Sequence, residues 1–306
     1  MMVKLSVLIV SWNTADLLRA CLRSVYDYPP VVPFEVWVVD NASHDGSAEM
    51  VRREFPQVKL VVKDVNGGFA AGNNEALPLC AGEYVLLLNP DTVVKPNALQ
   101  ALVDFLDEMP DVGAAGSMLL NPDGSLQPSA FPAPTLSREL WRLFHLDKIR
   151  PYGVYDMHKW GTAVPREVDV LQGASLLVRR DILNKIGLFD TTYFMYSEEV
   201  DLCRRLQLAG WHLYWVPASR VVHYGGQSTR QIAEQMFIQL YRGKLLYFRK
   251  HYGRFHAWAY KAVLTLASAA RLALTPLAVM QSAEKRQHSL TLARYYAHLI
   301  KAIPSF

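Results

Sequence analysis

Glu198-Glu199-Val200-Asp201 places three acids within four positions, after Phe194-Met195-Tyr196. Acids at the start of a helical pattern ordinarily compensate the helix dipole. Two adjacent carboxylates beside aromatic rings can also raise one pKa, which suits a general base. Asn89-Pro90-Asp91 ends the most apolar run of the chain. A carboxylate there suits a hard divalent cation that bridges phosphate oxygens and takes few protein ligands. The run Asn66-Gly-Gly-Phe-Ala-Ala-Gly-Asn-Asn74 leads into a helical pattern. Its backbone N–H groups and the helix N-terminus are suited to receiving a diphosphate. It is neither a Walker A loop nor a GxGxxG after the first strand. His223, two residues before a glycine pair, is a candidate ligand at the end of an apolar run.

These residues need a scaffold that brings them together, and the apolar pattern supplies one. Apolar, β-branched runs at 5–10, 34–39, 58–62 and 84–88 alternate with helical patterns at 14–25, 47–54 and 71–79. Near-continuous apolar strands separated by helices predict a parallel sheet covered on both faces. Thr14 and Asp45 are suitable helix N-caps. In an open α/β sheet ligands bind beyond the carboxyl ends of the strands. There the chain places Ser11-Trp12-Asn13, Asp40-Asn41, the loop 64–74 and Asn89-Pro90-Asp91, four polar strand ends expected on one edge.

Further along, a helix at 97–108 and a strand at 112–119 are followed by the turn signal Asn121-Pro-Asp-Gly124. Residues 127–165, rich in proline and aromatics, read as irregular loops and short helices over a cleft. A strand at 167–178, helices at 180–186 and 198–208, and short strands at 212–216 and 220–223 complete the body. From Thr229 onward the pattern is helical.

At 306 residues, half of them hydrophobic, the chain can bury a large core, and wholesale disorder is excluded. Cys21, Cys80 and Cys203 form no CxxC pair and read as buried thiols of a reducing compartment. The N-terminus reads as a first strand rather than a signal peptide, so a cytoplasmic location is expected. Residues 229–306 hold twelve Lys and Arg against two acids, a balance of +10 within a total of +4, which leaves −6 for residues 1–228. No 18-residue apolar run lacks a charge, so no spanning helix is expected. A basic, apolar, aromatic helical tail (Trp258, Tyr260, Tyr295, Tyr296) instead suits peripheral attachment to an anionic membrane surface, with a packed annex or homodimer contact as the other uses.

Assembled, these pieces resemble glycosyltransferase family 2, in particular its bacterial rhamnosyltransferase-like branch. The resemblance rests on Val7-Leu-Ile-Val-Ser-Trp-Asn13, Val39-Asp-Asn-Ala-Ser43, Asn66-Gly-Gly-Phe-Ala-Ala-Gly-Asn73, Leu88-Asn-Pro-Asp91, Gln172-Gly173-Ala174, Glu198-Glu-Val-Asp-Leu-Cys203 and His223, in the family's order over residues 3–228. It implies an α/β GT-A fold. Residues 1–120 would form the nucleotide-sugar and metal half, 121–228 the acceptor half, and 229–306 a helical extension. It further implies that Ser11, Trp12, Asn13, Asp40, Asn41, Asn66, Gly68, Phe69, Asn73, Asn89 and Asp91 line the nucleotide-sugar site. Gln172, Gly173, Ala174 and Glu198 would flank the sugar and acceptor. Asp91 and His223 would hold Mg²⁺ or Mn²⁺, and Glu199, or else Glu198, would be the base. Two positions depart from the family pattern: Asn89 replaces the first acid of the DxD-type motif, and Glu199 stands where the base is usually Asp.

The implied activity is inverting transfer of a sugar, best matched by rhamnose, from a dTDP- or UDP-sugar to a hydroxyl of a glycan or polyprenyl-linked acceptor. No nucleic acid partner is expected. A sugar nucleotidyltransferase would need a basic, glycine-rich loop after the first strand, where Ser11-Trp-Asn-Thr14 stands. A catalytically silent sugar-binding module is the other alternative, which metal-dependent donor hydrolysis would exclude.

Overall fold

The computed structural model describes residues 2–280 and 282–306. The chain forms two compact units. One comprises Met1–Ala133, Tyr155–Phe194 and Glu198–Arg230; the other comprises Pro134–Val154, Met195–Ser197 and Gln231–Phe306.

The first unit opens as the alternating pattern requires: β1 (Leu5–Ser11), α1 (Ala15–Asp27), β2 (Phe34–Asp40), α2 (Ser47–Glu54), β3 (Lys59–Val62), α3 (Gly68–Ala76) and β4 (Tyr84–Leu88). In the sheet the order is β3-β2-β1-β4, all parallel, so the four carboxyl ends share one edge. Side chains alternate between two cores. Leu5, Val7 and Ile9 pack into the one that holds α1 and α2, whereas Leu8 packs into the one beneath α3. Both faces of β1 and β4 are buried, which is why these strands read as unbroken apolar runs.

After β4 come β5 (Thr92–Val94), α4 (Ala98–Glu108), β6 (Val112–Leu120), β7 (Leu126–Gln127) and β8 (Ala130–Phe131). The second unit contributes α5 (Leu136–Leu143). The first then resumes with β9 (Arg166–Glu167), β10 (Val170–Leu171), β11 (Ser175–Arg179), α6 (Arg180–Ile186), α7 (Glu198–Leu208), β12 (His212–His223) and the short α8 (Gln227–Arg230). The sheet continues past β4 through β11, β6, β12 and β5. It is mixed there: β11 runs antiparallel to β4 and β6, and β5 antiparallel to β12.

Two readings of the pattern need correction. The single strand expected over 167–178 is three short strands, because the segment changes partner twice: β9 pairs with β12, β10 with β8 in a separate two-stranded sheet, and β11 with β4 and β6. The two strands expected at 212–216 and 220–223 are one, β12, bent by a register shift between Val216 and Arg220 around Pro217. Proline has no N–H to give the ladder, so the chain bulges and resumes pairing.

The expected cap of α1 is also supplied differently. Thr14 has no capping hydrogen bond and shares one with Ser11 (2.9 Å). Asp45 Oδ2 accepts the Ala15 N–H at 2.8 Å, while Asp45 Oδ1 accepts from the Ser47 N–H and hydroxyl. One carboxylate therefore starts two helices. Burial works against its charge, but these hydrogen bonds hold it below its ordinary pKa.

The second unit adds α9 (Ala233–Tyr252), α10 (Arg254–Leu274) and α11 (Ala283–Ala302) around a core that includes Leu143, Tyr241, Leu245, Phe248, Tyr260, Leu264 and Leu299. Helix α5 belongs to it. Glu139, buried, accepts from Lys244 at 2.6 Å, and Arg271 donates to the Leu143 carbonyl at 2.7 Å.

Candidate active site

The parallel half of the sheet sets out the donor side. Asp40 ends β2 at 1% exposure; its Oδ1 accepts the Ser43 N–H at 2.9 Å, and its buried Oδ2 has no hydrogen-bond partner. A buried acceptor without a donor is a standing demand for one. Asn41 holds the glycine loop: its amide nitrogen donates to Asn66 Oδ1 (2.8 Å) and the Gly68 carbonyl (3.1 Å), and its oxygen accepts the Gly67 N–H. Ser11 is buried, and Trp12 and Asn13 are half-buried beside it in sequence. Asn13, at φ +50°, accepts the His44 N–H.

Gly68 begins α3 at φ +83°, where a side chain would also overlap the Phe194 carbonyl, and the neighbouring Phe69 N–H donates to that carbonyl at 2.9 Å. Asn74 grips the same segment further back, its amide exchanging both hydrogen bonds with the Phe189 backbone (2.8 and 3.1 Å). The glycine loop and the stretch leading to Glu198 are thus one mechanical piece. Gly173 completes it: a Cβ there would stand 3.6 Å from Glu199 Cβ and 3.7 Å from the Phe69 ring. Residues from three separate motifs therefore meet, and Ala174 joins them to β4, its carbonyl accepting the Asn89 N–H at 3.0 Å. Asn73 stands apart. It is 1% exposed and its amide donates to the Phe69 carbonyl, so it serves the interior of α3 rather than the loop.

At the other side of Asn89, the β5–β12 ladder pairs Thr92 with His223 and so sets His223 beside Asp91. Both are buried, with His223 Nε2 3.4 Å from Asp91 Oδ1. Gln127 decides how that contact must be read. Its amide nitrogen donates to Asn121 Oδ1 (3.0 Å) and the His223 carbonyl (3.1 Å), so its oxygen is the atom 2.6 Å from His223 Nδ1. Nδ1 must then carry the proton. In the neutral ring the Nε2 lone pair faces a carboxylate oxygen, and Nε2 has no hydrogen-bond partner. Two acceptors facing each other across 3.4 Å are what a cation between them, or a proton on Nε2, would reconcile. An oxygen and an imidazole nitrogen fit Mn²⁺ or Mg²⁺ with the remaining positions left to phosphate and water. Among the described residues no cluster of three or more His, Cys, Asp or Glu adds protein ligands.

Gln127 escaped the sequence reading, as it lies 96 positions from its histidine. The nearest signal is the Asn121-Pro-Asp-Gly124 turn, which closes the β6–β7 hairpin through Gly124 N–H to the Asn121 carbonyl and so sets its register.

Glu198 and Glu199 open α7 after two left-handed residues, Tyr196 (φ +69°) and Ser197 (φ +71°). Such backbone is uncommon outside glycine and concentrates at functional sites. Glu198 is 4% exposed; burial, then the charge of Glu199, hold its carboxyl well above the usual range. Glu199 is half-buried on the side of Gly173 and Phe69. Asp201 has a structural part: at 0% exposure it pairs with Arg205 (2.8 Å), whose guanidinium also ties down the carbonyls of Ile186, Gly187 and Leu188.

Residues 4–243 match the sequence model of the glycosyltransferase-like family 2. The chain belongs to this family. It is 34% identical over 216 residues, 64% of this chain and 68% of the relative, to an N-acetylglucosaminyl-diphospho-decaprenol L-rhamnosyltransferase of Mycobacterium tuberculosis. It is 28% identical to the rhamnosyltransferase WbbL of Escherichia coli K12, over 56% of this chain and 66% of that one. Among solved structures, a mannosyltransferase of Pyrobaculum calidifontis in complex with GDP-Man and Mn²⁺ superposes at a TM-score of 0.60, 20% identity, 98% of this chain and 86% of that one. GalNAc-T7 with UDP, GalNAc and Mn²⁺ superposes at 0.55, 17% identity, 72% of this chain and 44% of that one. The fold of this glycosyltransferase is the α/β GT-A fold with a helical C-terminal region.

Proposed function

We propose that this family 2 glycosyltransferase transfers rhamnose, with inversion and with a divalent cation, from dTDP-rhamnose to a hydroxyl of a polyprenyl-diphosphate-linked glycan in cell-surface polysaccharide synthesis. The observation that carries the sugar and acceptor is the 34% identity over 216 residues, 64% of this chain, to an N-acetylglucosaminyl-diphospho-decaprenol L-rhamnosyltransferase. An acceptor carried on a lipid places the reaction at the cytoplasmic face of a membrane.

The chain's own residues divide the work. Asp40 Oδ2 accepts a hydrogen bond from the nucleoside, with Ser11, Trp12 and Asn13 beside it. The loop that Asn41 holds open presents N–H groups to the diphosphate as negative charge develops on it. Asp91 and His223 would hold Mn²⁺ or Mg²⁺, which would compensate negative charge on the diphosphate. Glu199 takes the proton of the acceptor hydroxyl as that oxygen attacks the anomeric carbon. Gly173 leaves room beside Glu199 for the sugar. A single carboxylate base suffices for direct displacement, which needs no covalent intermediate and inverts the anomeric centre.

The test is to incubate the full chain with dTDP-rhamnose, Mn²⁺ or Mg²⁺, and synthetic polyprenyl-diphosphate N-acetylglucosamine. A rhamnosylated lipid of inverted anomeric configuration that disappears with chelator and in Asp91→Ala is the expected result. Transfer from another nucleotide sugar alone, retention of configuration, or full turnover in chelator would each overturn the corresponding part.

A further inference from the structure

We propose that the outward face of α10 lies in the surface of an anionic bilayer. Among the described residues Arg254–Ala278 is the one stretch long and apolar enough to cross a membrane. Its two faces, however, have different fates. Tyr260, Leu264, Ala267 and Ser268 are buried within the helical unit against α9 and α11. On the opposite side every exposed residue from Phe255 to Leu277 is apolar. The large ones, Phe255, Trp258, Leu266, Leu274 and Leu277, are 57% to 74% exposed. At about 100° per residue they fall on one continuous arc.

Lys261 and Arg271, the two cations of α10 beyond its first residue, are engaged away from that arc. Lys261 donates to the Pro304 carbonyl, and Arg271 donates to the Leu143 carbonyl and stacks on Tyr296. A continuous exposed apolar face is a recognition surface rather than chance. One face of α10 is already covered by protein, which fits a helix lying in the interface better than one crossing it.

Charge selects the occupant. Exposed Arg249 and Arg254 stand at the start of the stripe. At its end, Arg286 borders Leu272 and Pro276, with Lys285 next to it in sequence. Of the two acids in this part of the chain, Glu234 is taken by Arg294 and His298. A second copy laid along the stripe in either direction would set cations against cations. Anionic headgroups would meet them favourably, and Trp258 suits the headgroup level.

The experiment uses the full chain and sedimentation with vesicles of phosphatidylcholine, with and without phosphatidylglycerol. Expected is binding that needs phosphatidylglycerol, weakens as salt rises, and is released by alkaline carbonate. Replacing Trp258→Glu and Leu266→Glu together should lower the partition coefficient by at least roughly tenfold, the scale set by withdrawing large apolar side chains from lipid. Both positions point outward, so circular dichroism and donor hydrolysis should be unchanged. Those readouts also separate a failure of this inference from a failure of the transfer reading. Equal binding to both vesicle types, undiminished sedimentation of the double variant, or retention after carbonate would overturn the proposal. So would a wild-type dimer that the double variant converts to monomer while vesicle binding persists.

Discussion

Glu198 and Glu199 are neighbours that burial separates. A general base contributes about 10²–10⁴-fold to a rate. Glu199→Gln is therefore expected to keep donor affinity and lose turnover on that scale. Glu198→Gln should keep most of it, because an amide imitates a protonated carboxyl. If steady-state kinetics gave the reverse pattern, Glu198 would be the base. The same pair makes a stability prediction. The folded-state pKa of Glu198 is raised, so its contribution is fully present below the unfolded value and is lost as pH rises toward the folded one. Melting temperatures of Glu198→Gln should match wild type in acid and exceed it increasingly from about pH 5 upward. On the metal side, Gln127 fixes which nitrogen of His223 carries the proton. Gln127→Ala should weaken Mn²⁺ binding by about 10–100-fold, the usual effect of losing such a partner. Thermal shifts titrated with Mn²⁺ check this without any turnover measurement. The cysteines need no part in the chemistry: burial pushes Cys21, Cys80 and Cys203 each up to about 12.

At the scale of elements, the site depends on α3 being pressed against the segment that leads to α7. Gly68 permits this twice over, through its left-handed backbone and its missing side chain. Gly46 has nearly the same φ, +82°, but nothing within 4 Å of where a Cβ would sit. Gly46→Ala should therefore cost about 1–2 kcal/mol, the backbone component alone. Gly68→Ala should cost clearly more and also weaken donor binding, since the Phe194 carbonyl must move. Chemical denaturation of both variants measures the difference, and equal midpoints would refute the close-contact argument. The helix-start acids show a similar division. Asp201 is held by Arg205 and organises the loop before α7, whereas Glu199 Cβ lies on the side of Gly173.

For the whole molecule, the helical unit is not a detachable tail. Residues 134–154 are part of it, with Glu139 and Leu143 buried against α9 and α10. A chain ending near 230 would leave that segment without its partners. Glu139 and Lys244 form a buried ion pair at 2.6 Å. Lys244→Met should cost about 1–3 kcal/mol by leaving the buried Glu139 carboxylate with the longer Arg142 contact (3.8 Å), and adding Glu139→Leu should recover most of it. Denaturation of the single and double variants decides between this and a merely additive loss. Charge divides along the chain, −6 before residue 229 and +10 after it.

The parallel half of this enzyme was legible in its sequence because its central strands β1 and β4 are buried on both faces and polar residues follow the strand ends. Hydrophobic period and chain order determine those features locally. The helical character of α1, α2, α4, α6, α7 and the C-terminal region followed from the same periodicity. Three things required the folded chain. The antiparallel strand β11 and the bent β12 depend on pairing between segments about 60 to 130 positions apart, which no local pattern encodes. The partnership of Gln127, His223 and Asp91 exists only because β12 pairs with β5 and with β6, which carries β7 as its hairpin partner. The choice between Glu198 and Glu199 is a matter of which side chain the packing buries. Sequence determines which groups are present and where each element ends; three-dimensional packing determines which groups lose water, and with it their proton, partner and role.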